Sequence, residues 1–130
     1  ALCASARDIS RLMKAKAIFA FTRSGGTATA AARERSRCMI YGLSPEIRTA
    51  RKLALVWGVI PAVSPDFQSS DEMLAWAEGF AKENANAVQG DHVIALAGTP
   101  VGVVGTTNTL KILTIFGKAE MVSASSLFKK

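Results

Sequence analysis

The chain has 130 residues, of which 49% are apolar and 20% charged, with ten Gly and four Pro. That length and balance describe one folded domain and exclude a disordered or collagen-like chain. The formal net charge is +6, and no apolar stretch approaches the roughly 18 residues that crossing a bilayer needs, which excludes a transmembrane helix and any membrane partner that requires one.

Leu2, Ile9, Leu12 and Met13 recur at helical spacing, which predicts an amphipathic helix over residues 2–14. Ala15 to Phe21 is a short, nearly continuous apolar run that reads as a strand. It stops at Thr22-Arg23-Ser24-Gly25-Gly26-Thr27, and an Ala-rich helical stretch follows to about Arg37. Strand, Gly-rich turn and helix in that order open an α/β unit. A second apolar run spans Cys38–Tyr41. Ser44-Pro45-Glu46 then predicts an N-cap with Pro in the first helical position, starting a helix that lasts to about Val56.

Gly58–Val63 is a third strand, and its Pro61 cannot donate to a ladder, which places it at a sheet edge. Ser69-Ser70-Asp71-Glu72 has the spacing of a capping box. A helix of some 18 residues follows, with Leu74, Ala77, Ala81 and Val88 as its apolar stripe. His92–Ala97 is a fourth strand and leads into a second Gly-rich loop, Gly98 to Asn108. Leu110–Phe116 is a fifth strand, and a polar tail closes the chain. Alternating helices and buried strands predict a three-layer α/β/α sandwich with a mostly parallel sheet. No helix separates strands four and five, so the fifth is expected to run antiparallel to its neighbour.

Charge divides unevenly along the chain. Residues 1–52 hold eleven Lys/Arg and three acids, residues 53–110 one Lys and six acids, and the last twenty four Lys and one acid. A basic front half fits a phosphate-bearing partner, although solvated helix faces account for most such charges. No aromatic residues interleave with the cations, so nucleic acid is not the expected partner. Cys3 and Cys38 form no disulfide framework and lack zinc-ligand spacing with the single His92; they read as reduced thiols of a cytosolic protein. The start, Ala1-Leu2-Cys3-Ala4, has neither a basic segment nor an initiator Met, and reads as a trimmed domain rather than a signal peptide.

The Thr22–Thr27 loop is the first site candidate. Its two glycines permit positive φ, so that backbone N–H groups converge, and the following helix adds its positive dipole end. Thr22, Ser24 and Thr27 supply hydroxyls and Arg23 a cation. Those groups suit a phosphate; the same residues also suit an empty strand-to-helix turn capped by Ser24, and the local pattern leaves both open. The loop is neither a P-loop nor a three-glycine dinucleotide fingerprint. The second Gly-rich loop also follows a strand's carboxyl end, where open α/β sheets place ligands. No catalytic set can be assembled from one His and acids on helix surfaces, and Trp57, Trp76 and Phe80 read as packing or interface residues.

At these loops the sequence resembles the C-terminal domain of pyruvate kinase. The matching residues are Ala15-Lys16-Ala17-Ile18, Thr22-x-Ser24-Gly25-x-Thr27-Ala28, Thr49-x-Arg51-x-Leu53-x-Leu55, Trp57-Gly58-Val59-x-Pro61, Gly90-Asp91-x-Val93, Gly98-x-Pro100-x-Gly102 and Gly105-Thr106-Thr107-Asn108-x-Leu110. They follow the family's order and spacing from about residue 1 to residue 116. The resemblance implies a mixed five-stranded sheet ordered 3-2-1-4-5, with strand five antiparallel, over residues 1–117, followed by a tail over 118–130.

It also implies a role in regulation and assembly rather than catalysis. Phosphoryl transfer in this family belongs to a separate barrel domain, with which K⁺ and Mg²⁺ are associated, and no cofactor is expected on this chain. The C-terminal domain forms subunit contacts in a tetramer and, in regulated members, holds a phosphorylated effector. The effector loop maps onto Thr22, Arg23, Ser24, Gly25, Gly26 and Thr27, and the last loop adds Gly105 and Thr106. The chain departs from the bisphosphate-regulated pattern: Glu72 and Met73 stand where an Arg opens the helix after strand three, and Thr99 to Val104 carry no charge. A second phosphate would lack its cation, so a monophosphate is the expected ligand. The expected partners are that effector, the catalytic domain or subunits of a pyruvate kinase, and further copies of the chain, in the cytoplasm. The rival reading is a free-standing α/β protein of the same fold that binds a phosphorylated metabolite or catalyses a reaction of its own.

Overall fold

The computed structural model describes residues 2–97 and 109–115. Its elements are α1 (Leu2–Met13), β1 (Ala17–Phe21), α2 (Gly26–Arg33), β2 (Met39–Ser44), α3 (Ile47–Leu53), β3 (Val59–Val63), α4 (Ser70–Asn84), β4 (His92–Ala97) and β5 (Thr109–Thr114). One sheet takes the order β3-β2-β1-β4-β5. The first four strands are parallel, and β5 pairs antiparallel with β4, Ile94 opposite Ile112. The expected order and the antiparallel fifth strand are therefore both present, and Pro61 lies on the edge strand β3.

β1 is central and buried along its whole length. Its alternate side chains enter two cores, as a pleated strand requires. Phe19 and Phe21, with Tyr41 of β2 and Val93 of β4, pack against Met73, Ala77 and Ala81 of α4. Ile18 and Ala20, with Ile40, Ile94 and Leu96, pack against Ala6 of α1, Ala28 and Ala31 of α2 and Leu53 of α3. Helices thus cover both faces, one on one side and three on the other. The α4 side is aromatic: Phe19 meets Tyr41 and Phe80 edge-on at 5.5 Å, and Trp76 stacks on Phe80 at 4.9 Å. The other side has a close approach at Gly42, where a Cβ would stand 2.7 Å from Leu53 Cδ1 and 3.2 Å from Ala28 Cβ. Only glycine lets α2 and α3 settle this near the strand.

Several boundaries differ from the sequence-based expectation, each for a local reason. α2 stops at Arg33, not Arg37, because Glu34 and Arg35 donate to carbonyls three residues back and Arg35 turns to a φ of 52°. Ser44 is the last residue of β2 rather than the N-cap of α3. The proline that follows it disfavours the helical region, and the Ser64 N–H donates to its carbonyl at 2.8 Å. Pro45 therefore precedes α3, and Glu46 is the N-cap. The Ser44 hydroxyl still serves this entry by accepting the Glu46 N–H at 3.1 Å.

α3 ends at Leu53 instead of continuing to Val56; Leu55 and Val56 donate to carbonyls three residues back in a tighter turn. α4 has 15 residues, and the chain leaves it before Val88, which is 64% exposed, so Val88 is no part of the apolar stripe. Met73 and Ala87 are buried there instead. Ser69 does cap α4, accepting the Glu72 N–H at 3.2 Å, but the Glu72 carboxylate returns to the N–H of Gln68 rather than to that of Ser69. The tail at 118–130 lies outside the described residues.

Candidate functional site

Chain direction reverses at β1: the chain steps from β1 outward to β2 and β3, then returns to β4 on the other side. The carboxyl ends of β1 and β4 therefore lie side by side at the switch point, where open α/β sheets place their ligands. The β1 loop is Thr22 to Gly25, and it runs directly into α2.

The loop is held from below by its own backbone. Thr22 extends the ladder by donating its N–H to the Leu43 carbonyl at 2.9 Å. The Thr22 hydroxyl accepts the Gly25 N–H at 2.8 Å, closing a tight turn. The Arg23 carbonyl accepts the Thr49 hydroxyl at 2.7 Å and the Ser44 hydroxyl at 3.4 Å, tying the loop to α3 and β2. Gly25 takes a φ of 103°, a region that favours glycine, and its carbonyl accepts both the N–H and the hydroxyl of Thr29.

The upper side of the loop faces solvent. Gly25 is the N-cap of α2 and, being glycine, brings no side chain to cap the helix. Ser24 is exposed and does not take the capping role of an empty turn. Gly26 is exposed too, and among the described residues a Cβ added to it would meet nothing within 4 Å. Thr27 is buried at the first turn. A helix start with a glycine N-cap and an exposed Gly26 favours an anion through its positive dipole end.

The loop's one cation is directed elsewhere. The Arg23 guanidinium, 26% exposed, donates to Asp66 Oδ1 at 2.7 Å and to Glu46 Oε2 at 3.3 Å. Sequence spacing gave no sign of this, since Asp66 lies 43 residues away. Both carboxylates are more than half exposed, so these are weak surface pairs that an incoming phosphate can replace. Gly105 and Thr106, with the rest of the second Gly-rich loop, lie outside the described residues.

The other singled-out residues have structural partners. The Asp91 carboxylate accepts the Val88 N–H at 2.8 Å, and His92 Nδ1 lies 3.2 Å from the Thr114 hydroxyl across the β4–β5 ladder. Trp76 and Phe80 pack in the core, whereas Trp57 is 78% exposed with the Arg35 guanidinium 5.6 Å from its ring centre. Among the described residues no three His, Cys, Asp or Glu side chains converge as a metal site, and no helix is long and apolar enough to cross a membrane.

Comparison with known proteins agrees with this geometry. The family model described as "Pyruvate kinase, alpha/beta domain" matches residues 1–113. The chain is 38% identical over 112 residues to a pyruvate kinase of Methylorubrum extorquens, covering 86% of this chain and 23% of that protein. It is 36% identical over 113 residues to one from Clostridium acetobutylicum, covering 87% and 23%. A Staphylococcus aureus pyruvate kinase is 40% identical over 100 residues, covering 77% and 17%. The chain thus spans less than a quarter of the length of these relatives, and the matched region contains both the β1 loop and the sheet that positions it. It belongs to the pyruvate kinase C-terminal, alpha/beta domain family.

Proposed function

We propose that this chain is the regulatory and assembly domain of a pyruvate kinase, and that Thr22, Arg23, Ser24, Gly25, Gly26 and Thr27 hold the phosphate of a monophosphorylated effector. The start of α2, with glycine as its N-cap and Ser24 and Gly26 exposed, supports this reading most directly. Gly105 and Thr106 of the second loop complete the site, as the family resemblance implies. Glu72 supports a single phosphate: its carboxylate is occupied with the Gln68 N–H and brings negative charge where a second phosphate needs a cation.

The mechanism is allosteric. Effector binding bridges the two loops, and the assembly shifts toward the form that binds phosphoenolpyruvate by as much as the effector prefers that form. Phosphoryl transfer, with its Mg²⁺ and K⁺, belongs to a barrel domain, and the chain works in the cytoplasm alongside that domain and further copies of itself. The isolated chain is expected to turn over no phosphoenolpyruvate with ADP, and turnover would overturn this assignment.

Thermal denaturation with AMP, glucose 6-phosphate, ribose 5-phosphate, fructose 1,6-bisphosphate and inorganic phosphate tests the site. A ligand at 100 times its Kd adds about 2.7 kcal/mol, a shift of several degrees. Gly26→Asp is the discriminating variant. Its side chain meets none of the described residues and its carboxylate suits the helix dipole, so the fold is retained while an anion is repelled. A monophosphate shift abolished in Gly26→Asp supports the proposal, and a shift that survives it does not.

A further inference from the structure

Four cations of this domain, Arg11, Lys14, Lys16 and Arg37, gather at the opposite end of the sheet from the Thr22–Thr27 loop. There a cavity of about 560 Å³ is lined by Ser10, Arg11, Lys14, Lys16, Cys38 and Met39, with Arg37 beside them. Lys16 immediately precedes β1, and Arg37 and Cys38 precede β2, so the cavity sits beneath the amino ends of both strands. Among the described residues Lys14, Lys16 and Arg37 make no ion pair, and the nearest carboxylate oxygen to Arg11 is Asp8 Oδ1 at 3.7 Å. The acids nearby are engaged: Asp8 and Glu34 each accept from Arg7, at 3.0 and 2.8 Å.

Four like charges around one cavity repel one another, and an anion removes that repulsion. The negative pole of α1 points the same way but is partly covered, since Lys14 and Ala15 donate to the Arg11 and Ser10 carbonyls. On the wall, the Ser10 hydroxyl donates to the Arg7 carbonyl at 2.7 Å and lies 3.3 Å from Ser36 Oγ, which lies 3.3 Å from Cys38 Sγ, so the groups left to meet a phosphate are the four cations. Ala15, Met39 and the aliphatic stems of the lysines form the rest of the lining. The volume is that of a small-molecule pocket.

We infer that this cavity is a second anion site, taking the phosphate of a phosphorylated metabolite with Arg11, Lys14, Lys16 and Arg37 and its sugar-sized body against Met39 and the lysine stems. It is separate from the effector loop and does not rest on that assignment.

Cys38 reports on it. In a Cys3→Ser background, the alkylation of Cys38 by neutral iodoacetamide is followed with glucose 6-phosphate or pyrophosphate added. Ligand at about ten times its Kd is expected to slow the reaction about tenfold, with backbone amide shifts at residues 10–16 and 37–39. The exposed pair Lys16→Gln and Arg37→Gln, with an unchanged melting temperature, is expected to weaken protection about tenfold. Unprotected Cys38 at about 10 mM of both probes, where even millimolar affinity registers, would overturn the inference. Protection that survives the double substitution would do so as well, as would amide shifts confined to residues 22–27; that last result would leave the effector loop standing alone.

Discussion

The Thr49 hydroxyl donates to the Arg23 carbonyl at 2.7 Å, so the first turn of α3 holds the loop that follows β1. Both groups are shielded, and Thr49 is buried. Thr49→Val keeps the shape and removes the donor, leaving the carbonyl with only the longer Ser44 bond. A loss of about 1–2 kcal/mol is expected, read as a melting temperature lower by several degrees. Effector affinity should fall with it, because the loop is no longer held in place.

Asp66 competes with any phosphate for Arg23. Asp66→Asn removes the shorter of the two ion pairs and lowers the negative charge beside the loop. Surface pairs of this kind are worth at most about 1 kcal/mol, so stability should barely change while monophosphate affinity rises about threefold. Calorimetric titration of the two proteins checks this. An unchanged or weaker affinity would mean that Arg23 keeps its carboxylates when ligand binds.

Gly42 marks the tightest approach between the sheet and its helices. Gly42→Ala places a Cβ 2.7 Å from Leu53 Cδ1 and 3.0 Å from Val59 Cγ1. The Leu53 methyl can rotate away, but Val59 and Ala28 close the other sides. Overpacking should cost about 1–3 kcal/mol, measured by urea denaturation as a lower midpoint with an unchanged slope.

Burial raises the pKa of the Cys3 thiol above its ordinary value, with Glu34 adding to the effect. Thiolate is the reactive form, so a raised pKa means less of it at a given pH. Cys3 should therefore react more slowly with iodoacetamide at pH 8 than an unstructured cysteine peptide, and the gap should narrow as pH rises through the thiol's titration. Mass spectrometry of the labelled chain resolves Cys3 from Cys38.

The sheet was legible in the sequence because each strand carries its instruction locally. Five apolar residues in a row at Ala17–Phe21 demand cover on both faces, Pro61 demands an edge, and the lack of a helical pattern in the sequence between strands four and five points to reversal. Helix ends were less legible. Val88 continues the helical period, but Asn86 takes a φ of 56° and the Asp91 carboxylate captures the Val88 N–H, so the chain turns before the stripe is complete. Pro45 matched the pattern for a first helical residue, yet pairing with β3 keeps Ser44 extended.

By itself, the sequence determined the family, the α/β layering and the glycine turn between β1 and α2, all of which rest on residues near one another in the chain. Only the tertiary structure decided where the charges go. Arg23 reads as a phosphate ligand until folding brings Asp66 and Glu46 to it, whereas Arg11, Lys14, Lys16 and Arg37 read as scattered solvated charges until folding sets them around one cavity. The physical reason is reach. Hydrophobic period and turn chemistry act over a few residues, whereas electrostatic partners are chosen by whatever the packed sheet places within about 4 Å, and no spacing in the chain encodes that.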